Sequence, residues 1–295
     1  MQRVYDPQDP FNTNARPNAW TPPLNTSWNW GADHVYGVNL GGLFVLEPFI
    51  SPALYQKYPG AVDEWTLSEL MAADNSTGRG LRAQLEAHYD TFIVRGLNCL
   101  DMICFIADFS LRQSIETWDG EPFLPKVCWK YILRVFEWAR KYGLRIYLDL
   151  HTVRDHKTVR PGVPAPVSYE LGQVNFMNGI IGVSKWADFL PGSDRIILDT
   201  HPYFVFDGQP NNSPLVDDDG TGEPGGVWPK QACSAWGPSI NTSRSAFGVT
   251  VAGEFSNGYN DCGLFVNGVG NGASYKGDCS VMIDWANWNT TFKPA

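Results

Sequence analysis

No apolar run in the 295-residue sequence approaches the roughly 20 residues that a membrane-spanning helix needs. The start, Met1-Gln2-Arg3-Val4-Tyr5-Asp6-Pro7, lacks the apolar core of a secretory leader. There is no long basic run, and 22 Lys and Arg against 31 Asp and Glu give a net charge of −9. Nucleic acids and anionic membranes are therefore set aside as partners. No CxxC pair occurs, which argues against a zinc knuckle. The five His do not cluster along the chain, which argues against a metalloenzyme. The G-x-S-x-G turn of many serine hydrolases is missing too. No cofactor and no metal are implied, and no internal repeat is visible.

What is present points elsewhere. Hydrophobic residues make up 43% of the chain, enough for a sizeable core. The length fits two smaller domains or one large one, and a single α/β barrel runs to about 250 residues. Twelve Trp, twelve Tyr and sixteen Phe are many for this length. Flat aromatic faces suit the apolar faces of sugar rings, although Trp and Tyr are equally common in cores. Sequons stand at Asn25, Asn75, Asn211, Asn241 and Asn289. With the cysteines Cys99, Cys104, Cys128, Cys233, Cys262 and Cys279 they favour the secretory route and an oxidising compartment. That conflicts with the missing leader; either the sequence starts late, or a leader or anchor has been lost.

Along the chain, residues 1–34 are rich in Pro and Asn and read as an extended arm or a linker. Tyr36–Phe44 reads as a buried strand, residues 63–90 as helix and Leu97–Phe105 as strand, while residues 106–114 have no clear role. The clearest helix is residues 125–142, where Val127, Tyr131, Leu133, Val135, Phe136 and Ala139 follow a 3.6-residue period and Gly143 is a stop. A strand follows at Leu144–Leu150, making a helix–strand unit of an α/β fold. Residues 152–170 form a basic, Pro-rich loop and residues 207–230 a polar one. Ile196–Thr200 and Phe247–Gly253 read as short buried strands. These strands end in polar residues: His151 after the first, His201-Pro202-Tyr203 after the second, Glu254 after the third. A single such His is usually structural. Several in order have the layout of an active site at the C-terminal ends of barrel strands.

These residues resemble a known family. Tyr36-Gly37-Val38-Asn39-Leu40-Gly41-Gly42-Leu43-Phe44-Val45-Leu46-Glu47-Pro48-Phe49 is similar to the first-strand signature of the fungal exo-β-1,3-glucanases of glycoside hydrolase family five. Trp138–Leu144 with Leu148-Asp149-Leu150-His151, then Leu198-Asp199-Thr200-His201-Pro202-Tyr203, resemble the third and sixth strands. Gly253-Glu254-Phe255-Ser256, with Asp261-Cys262 and Asn267-Gly268-Val269-Gly270, resembles the seventh. The resemblance implies a TIM (β/α)8 barrel over residues 35–295. It also implies release of glucose from the non-reducing ends of β-1,3-glucan with retention, which needs two carboxyl groups about 5–5.5 Å apart. Glu254 matches the nucleophile and Glu47 a carboxylate that holds sugar hydroxyls. His151, His201 and Tyr203 match residues that bond the sugar and the nucleophile, and Phe206 matches an aromatic at the entrance. Cys262 and Cys279 match a local disulfide worth about 3 kcal/mol by loop closure; Cys233 is left without a visible partner. The expected substrate is β-1,3-glucan or a laminarin-type oligosaccharide, acted on by a monomer outside the cell or at its surface or wall.

The chain also departs from the family. The acid/base glutamate belongs to an Asn-Glu-Pro-like motif closing strand four, and no Asn-Glu pair occurs in the sequence. Between His151 and His201 the only Glu is Glu170. The text passes from Gln173–Gly182 straight to Val183-Ser184-Lys185-Trp186, where the family carries strands four and five. The second strand lacks its bracing Arg, and the chain stops at Ala295 before an eighth strand. Strands four, five and eight are thus expected to be absent, leaving open edges and low stability. The expectation is a retaining glycosidase by descent whose competence is in question, arising from an imperfect gene model or a splice variant. The alternatives are a β-glucan-binding pseudoenzyme and a non-functional truncated product.

Overall fold

A computed structural model describes residues 8, 13–29, 31–76, 78, 80–92, 104–109, 117, 120–150, 173–174, 197–205, 228–256, 258, 260–284, 286 and 288. The chain divides into two compact units, Met1–Ser168 and Tyr169–Ala295.

The first unit contains β1 (Gly37–Asn39), α1 (Pro52–Lys57), α2 (Glu64–Ala73), α3 (Leu81–Thr91), β2 (Cys104–Phe109), α4 (Val127–Tyr142) and β3 (Arg145–Leu150). Its strands form a parallel sheet in the order β1-β2-β3. Cys104 lies opposite Arg145 and Phe109 opposite Leu150, so β2 and β3 pair along their whole length. Parallel neighbours need a crossover, and α4 supplies the one into β3. This helix buries Val127, Tyr131, Val135 and Ala139, with Cys128 and Ile132 beside them, and exposes Trp129, Lys130, Leu133 and Glu137. Its apolar stripe packs towards α3, where the rings of Tyr89 and Tyr131 stand 4.9 Å apart. Arg134 adds a tie, donating to Asp90 Oδ1 at 2.6 Å and to the Tyr89 carbonyl at 2.7 Å.

Gly143 ends α4 in the left-handed region, at φ 74°, where glycine carries no Cβ penalty. The N-terminal arm also crosses it: a Cβ here would lie 2.3 Å from the backbone nitrogen of Arg16. Arg145 clasps the same arm. Its guanidinium donates to the carbonyls of Pro22 (3.2 Å), Pro23 (3.0 Å) and Thr26 (2.6 Å), and it stacks 4.2 Å over the Trp28 ring. The described part of the arm is thus laid on the first unit. Gly143→Ala is expected to cost about 1–3 kcal/mol from left-handed strain and displacement of the arm, seen as a lower melting temperature and earlier proteolytic cleavage in residues 13–28.

Three readings of this unit need correction. Residues 63–90 form two helices. α2 starts at a capping box, in which Asp63 accepts from the Thr66 amide while the Thr66 hydroxyl accepts from the Asp63 amide, and the chain breaks before α3 around Gly80 (φ 99°). Tyr36–Phe44 is strand only at Gly37–Asn39, with Tyr36 56% exposed. The buried residues follow it, at Leu40 and from Gly42 through Leu46, and pack on a helix: the Phe44 and Tyr89 rings lie 5.6 Å apart. The second strand is Cys104–Phe109, taking in residues 106–109 that had no role, whereas residues 97–103 lie outside the described residues.

The second unit contains β4 (Gln173–Val174), β5 (Leu198–Thr200), α5 (Trp228–Ala246), β6 (Thr250–Ala252) and α6 (Cys279–Ile283). Its sheet is parallel in the order β4-β5-β6. The strands read at 196–200 and 247–253 are present in shorter form; β5 is buried as expected, whereas β6 is half-buried at Thr250 and Val251 and exposed at Ala252. α5 was not anticipated. Gly237 and Pro238 interrupt its middle, and only Trp228 and Ser243 are fully buried, so its periodicity is weak. It docks through Trp228 and Trp236, whose rings meet Phe204 at 4.9 and 4.6 Å, and through the Ser243 and Thr250 hydroxyls, 2.6 Å apart. Both units are thus α/β with parallel strands. No helix among the described residues is long and apolar enough to cross a membrane.

Candidate active site

In the second unit, β5 and β6 run parallel with Asp199 opposite Val251 and Thr200 opposite Ala252. Their C-terminal ends therefore emerge side by side. Asp199 lies on β5, and His201 and Tyr203 follow just beyond its end. Beyond β6 come Gly253 and Glu254.

Three of the residues singled out in the sequence converge here. The Tyr203 hydroxyl donates to Glu254 Oε2 at 2.8 Å. His201 Nδ1 stands 3.3 Å from the same oxygen. His201 is 4% exposed, whereas the Glu254 side chain keeps 19% of its surface. A carboxylate oxygen held by the Tyr203 hydroxyl, faced by an imidazole nitrogen and still reachable, suits attack on a carbon centre.

Sequence reasoning passed over Asp199. Its carboxylate is buried, accepts the Gly253 amide on Oδ1 at 2.7 Å and places Oδ2 3.7 Å from His201 Nε2. The available signal was its place two residues before His201. The Gly253 amide also reaches the Thr200 carbonyl at 3.1 Å, and the Thr200 hydroxyl donates to the Val251 carbonyl at 2.9 Å. The two strand ends are cross-tied.

A loop follows the nucleophile candidate. A disulfide joins Cys262 to Cys279 with a Cα–Cα distance of 5.2 Å; Cys233 is a free, exposed thiol. Inside the loop Asp261 is buried and accepts from Asn267 Nδ2 (2.7 Å), the Ser274 amide (2.6 Å), the Ser274 hydroxyl (2.6 Å) and the Tyr275 amide (2.9 Å). Burial alone would raise its pKa, but these donors outweigh it and hold the carboxyl well below the ordinary carboxylate range.

Glu47 belongs to the first unit, where it is half-buried. Its carbonyl accepts from the amides of Ile50 (3.2 Å) and Ser51 (2.8 Å). The preceding residue is clamped: the Leu46 amide donates to Glu64 Oε1 at 3.1 Å, and the Leu46 carbonyl accepts from the Tyr55 hydroxyl at 2.7 Å. Burial, then the nearby charges of Glu64, Asp63 and Glu47, push the Tyr55 phenol far above its usual pKa, so it stays a donor. Glu64, an acidic residue buried at the start of α2, was not legible as a support. His151 and Phe206 lie outside the described residues. Among the described residues no group of His, Cys, Asp and Glu is arranged to hold a metal ion.

The chain is related to fungal glycosidases. Over 92% of its length it is 28% identical to the probable glucan 1,3-beta-glucosidase D of Aspergillus clavatus, and 27% identical to the proteins of that name from Aspergillus terreus and Aspergillus niger. These bear out the resemblance read from the motifs. The chain spans about 40% of the length of these relatives. The first two alignments run to 357 and 355 positions, more than the 295 residues of the chain. The relatives therefore carry segments inside the match that this chain skips. No family model matches the chain. Among solved structures, AoRut is 25% identical and the rutinosidase from Aspergillus niger 21%. Each has a TM-score of 0.36 and covers 43% of this chain and 35% of the other.

Proposed function

We propose that this chain is, by descent, a retaining β-glucan hydrolase with Glu254 as its nucleophile. The observation that carries the reading is the convergence of the Tyr203 hydroxyl and His201 Nδ1 on Glu254 Oε2. The names of the relatives support a 1,3-β-glucan as the class of substrate, and the motif resemblance narrows it to glucose units at the non-reducing ends of β-1,3-glucan or to laminarin-type oligosaccharides. Glu47, His151, His201, Tyr203 and Phe206 are the substrate-binding residues of this reading. Residues 1–34 are an arm and residues 35–295 an incomplete barrel-type glycoside hydrolase domain that works as a monomer at the cell wall or outside the cell.

In the first step a Glu254 oxygen bonds to the anomeric carbon as the glycosidic C–O bond breaks, and a glycosyl ester results. Attack by water on the same carbon breaks the ester and restores the original configuration. A natural glucan leaving group needs a proton as it departs. The acid that supplies it is the missing part: the sequence has no Asn-Glu pair, and the segments skipped inside the alignments support the loss. Losing a general acid costs about 10²–10⁴ in rate. The absence of that pair also favours a second reading, in which the chain binds β-glucan without turning it over.

An activated substrate separates the two. The dinitrophenolate of 2,4-dinitrophenyl β-glucoside leaves without a proton, and azide attacks the glycosyl ester without a base. The purified chain is expected to release dinitrophenolate, to do so about tenfold faster with azide when ester breakdown is limiting, and to form β-glucosyl azide, while releasing little glucose from laminarin. Dinitrophenolate release no faster than in buffer, together with saturable laminarin binding, would establish the second reading. Efficient glucose release from laminarin would mean that another carboxyl group supplies the proton.

A further inference from the structure

We propose that Asp199 is a positioning residue that aligns Glu254 through two routes, the Gly253 peptide and the His201 imidazole. The inference rests on the reading of Glu254 as nucleophile.

The side chain of Asp199 is only 5% exposed. A buried carboxylate is costly unless it is paired and hydrogen-bonded. Here one oxygen accepts the amide of Gly253, the residue joined directly to Glu254, at 2.7 Å. The approach is so close that a Cβ on Gly253 would sit 2.3 Å from either carboxylate oxygen. The other oxygen faces His201 Nε2 at 3.7 Å, while Nδ1 on the far side of the ring meets Glu254 at 3.3 Å. The imidazole therefore stands between two carboxylates, each nearer a different nitrogen. Among the described residues, Asp199 on β5 and Glu254 beyond β6 face it, and Tyr203 shares its oxygen partner on Glu254. The carboxylate of Asp199 sets the orientation of the ring, as outer carboxylates do for functional histidines. One side chain thus holds both the backbone before the nucleophile and a ring that contacts it.

Asp199→Asn separates these roles, because it keeps an oxygen for the Gly253 amide and removes the charge facing His201. The experiment uses the full chain labelled with 15N-histidine, with His201→Asn serving only to assign the signal. In Asp199→Asn the His201 ring is expected to titrate about one unit lower than in the wild type. Glucosylation by an activated 2-deoxy-2-fluoro-β-glucoside is expected to slow about tenfold, with the initial binding constant changed less than about threefold. A purely structural Asp199 would shift neither the ring titration nor the rate apart from binding. Asp199→Ala also leaves the Gly253 amide with only the Thr200 carbonyl and is expected to slow glucosylation further; if it fails to fold, Asp199→Asn still decides. An unchanged His201 titration in folded Asp199→Asn overturns the proposal. If the wild type is never glucosylated, Glu254 is not the nucleophile, and the titration alone judges Asp199.

Discussion

Glu254→Gln is expected to abolish glucosylation by an activated 2-deoxy-2-fluoro-β-glucoside, with a loss of at least about 10⁴ in rate, or roughly 5.5 kcal/mol of barrier. The size follows from the chemistry. A dinitrophenolate departs without help, so a substrate carrying it isolates attack by the nucleophile from any general-acid assistance. A neutral amide keeps the size of Glu254 and an acceptor for the Tyr203 hydroxyl, but it is a very poor nucleophile. Tyr203→Phe removes the hydroxyl donor on Glu254 Oε2 and is expected to cost only about tenfold, the scale of one hydrogen bond. Intact-mass measurement gives the answer: the wild type gains one fluoroglucosyl group and Glu254→Gln gains none. Labelling of Glu254→Gln at the wild-type rate would place the nucleophile elsewhere.

Asp261→Ala is expected to lower stability by about 3 kcal/mol, because four hydrogen bonds to a buried charge disappear and their donors lose their partner. For a unit of this size that is about 10 °C in melting temperature. The effect depends on pH. The carboxyl pKa is depressed in the folded state, so its contribution is full above the unfolded value of about 3.9 and is lost as pH falls towards the folded value. Thermal melts of the wild type and Asp261→Asn should differ by a constant amount above about pH 5 and converge below about pH 4. A gap that stays constant down to about pH 2 would show that the charge of Asp261 does nothing for the loop. The disulfide between Cys262 and Cys279 closes the same loop and confines what its loss can unfold.

The clearest structure in the sequence was local. The apolar stripe of α4 and its Gly143 stop are properties of one stretch of chain, and the helix formed, although Leu133, counted in its period, is 47% exposed while Cys128 and Ile132 join the buried face. The longer reading of residues 63–90 failed because the apolar period survives the break between Met71 and Leu81, where glycines rather than hydrophobic spacing decide the course of the chain. α5 was illegible for the opposite reason: it forms around an internal Pro and docks through a few aromatic contacts instead of a continuous stripe.

The candidate site divides in the same way. Polar residues at strand ends picked out His201, Tyr203 and Glu254, because alternation and strand termination are encoded within short segments. Their convergence on a single oxygen, and the grip of Asp199 on the Gly253 amide, join residues more than fifty positions apart. Such contacts are created by the parallel pairing of β5 with β6. Composition and local period determined which side chains stand at the strand ends. Which of them meet, and which buried carboxylate holds them there, was decided by the sheet, since the hydrogen bonds that set its register link residues with no local relation in the sequence.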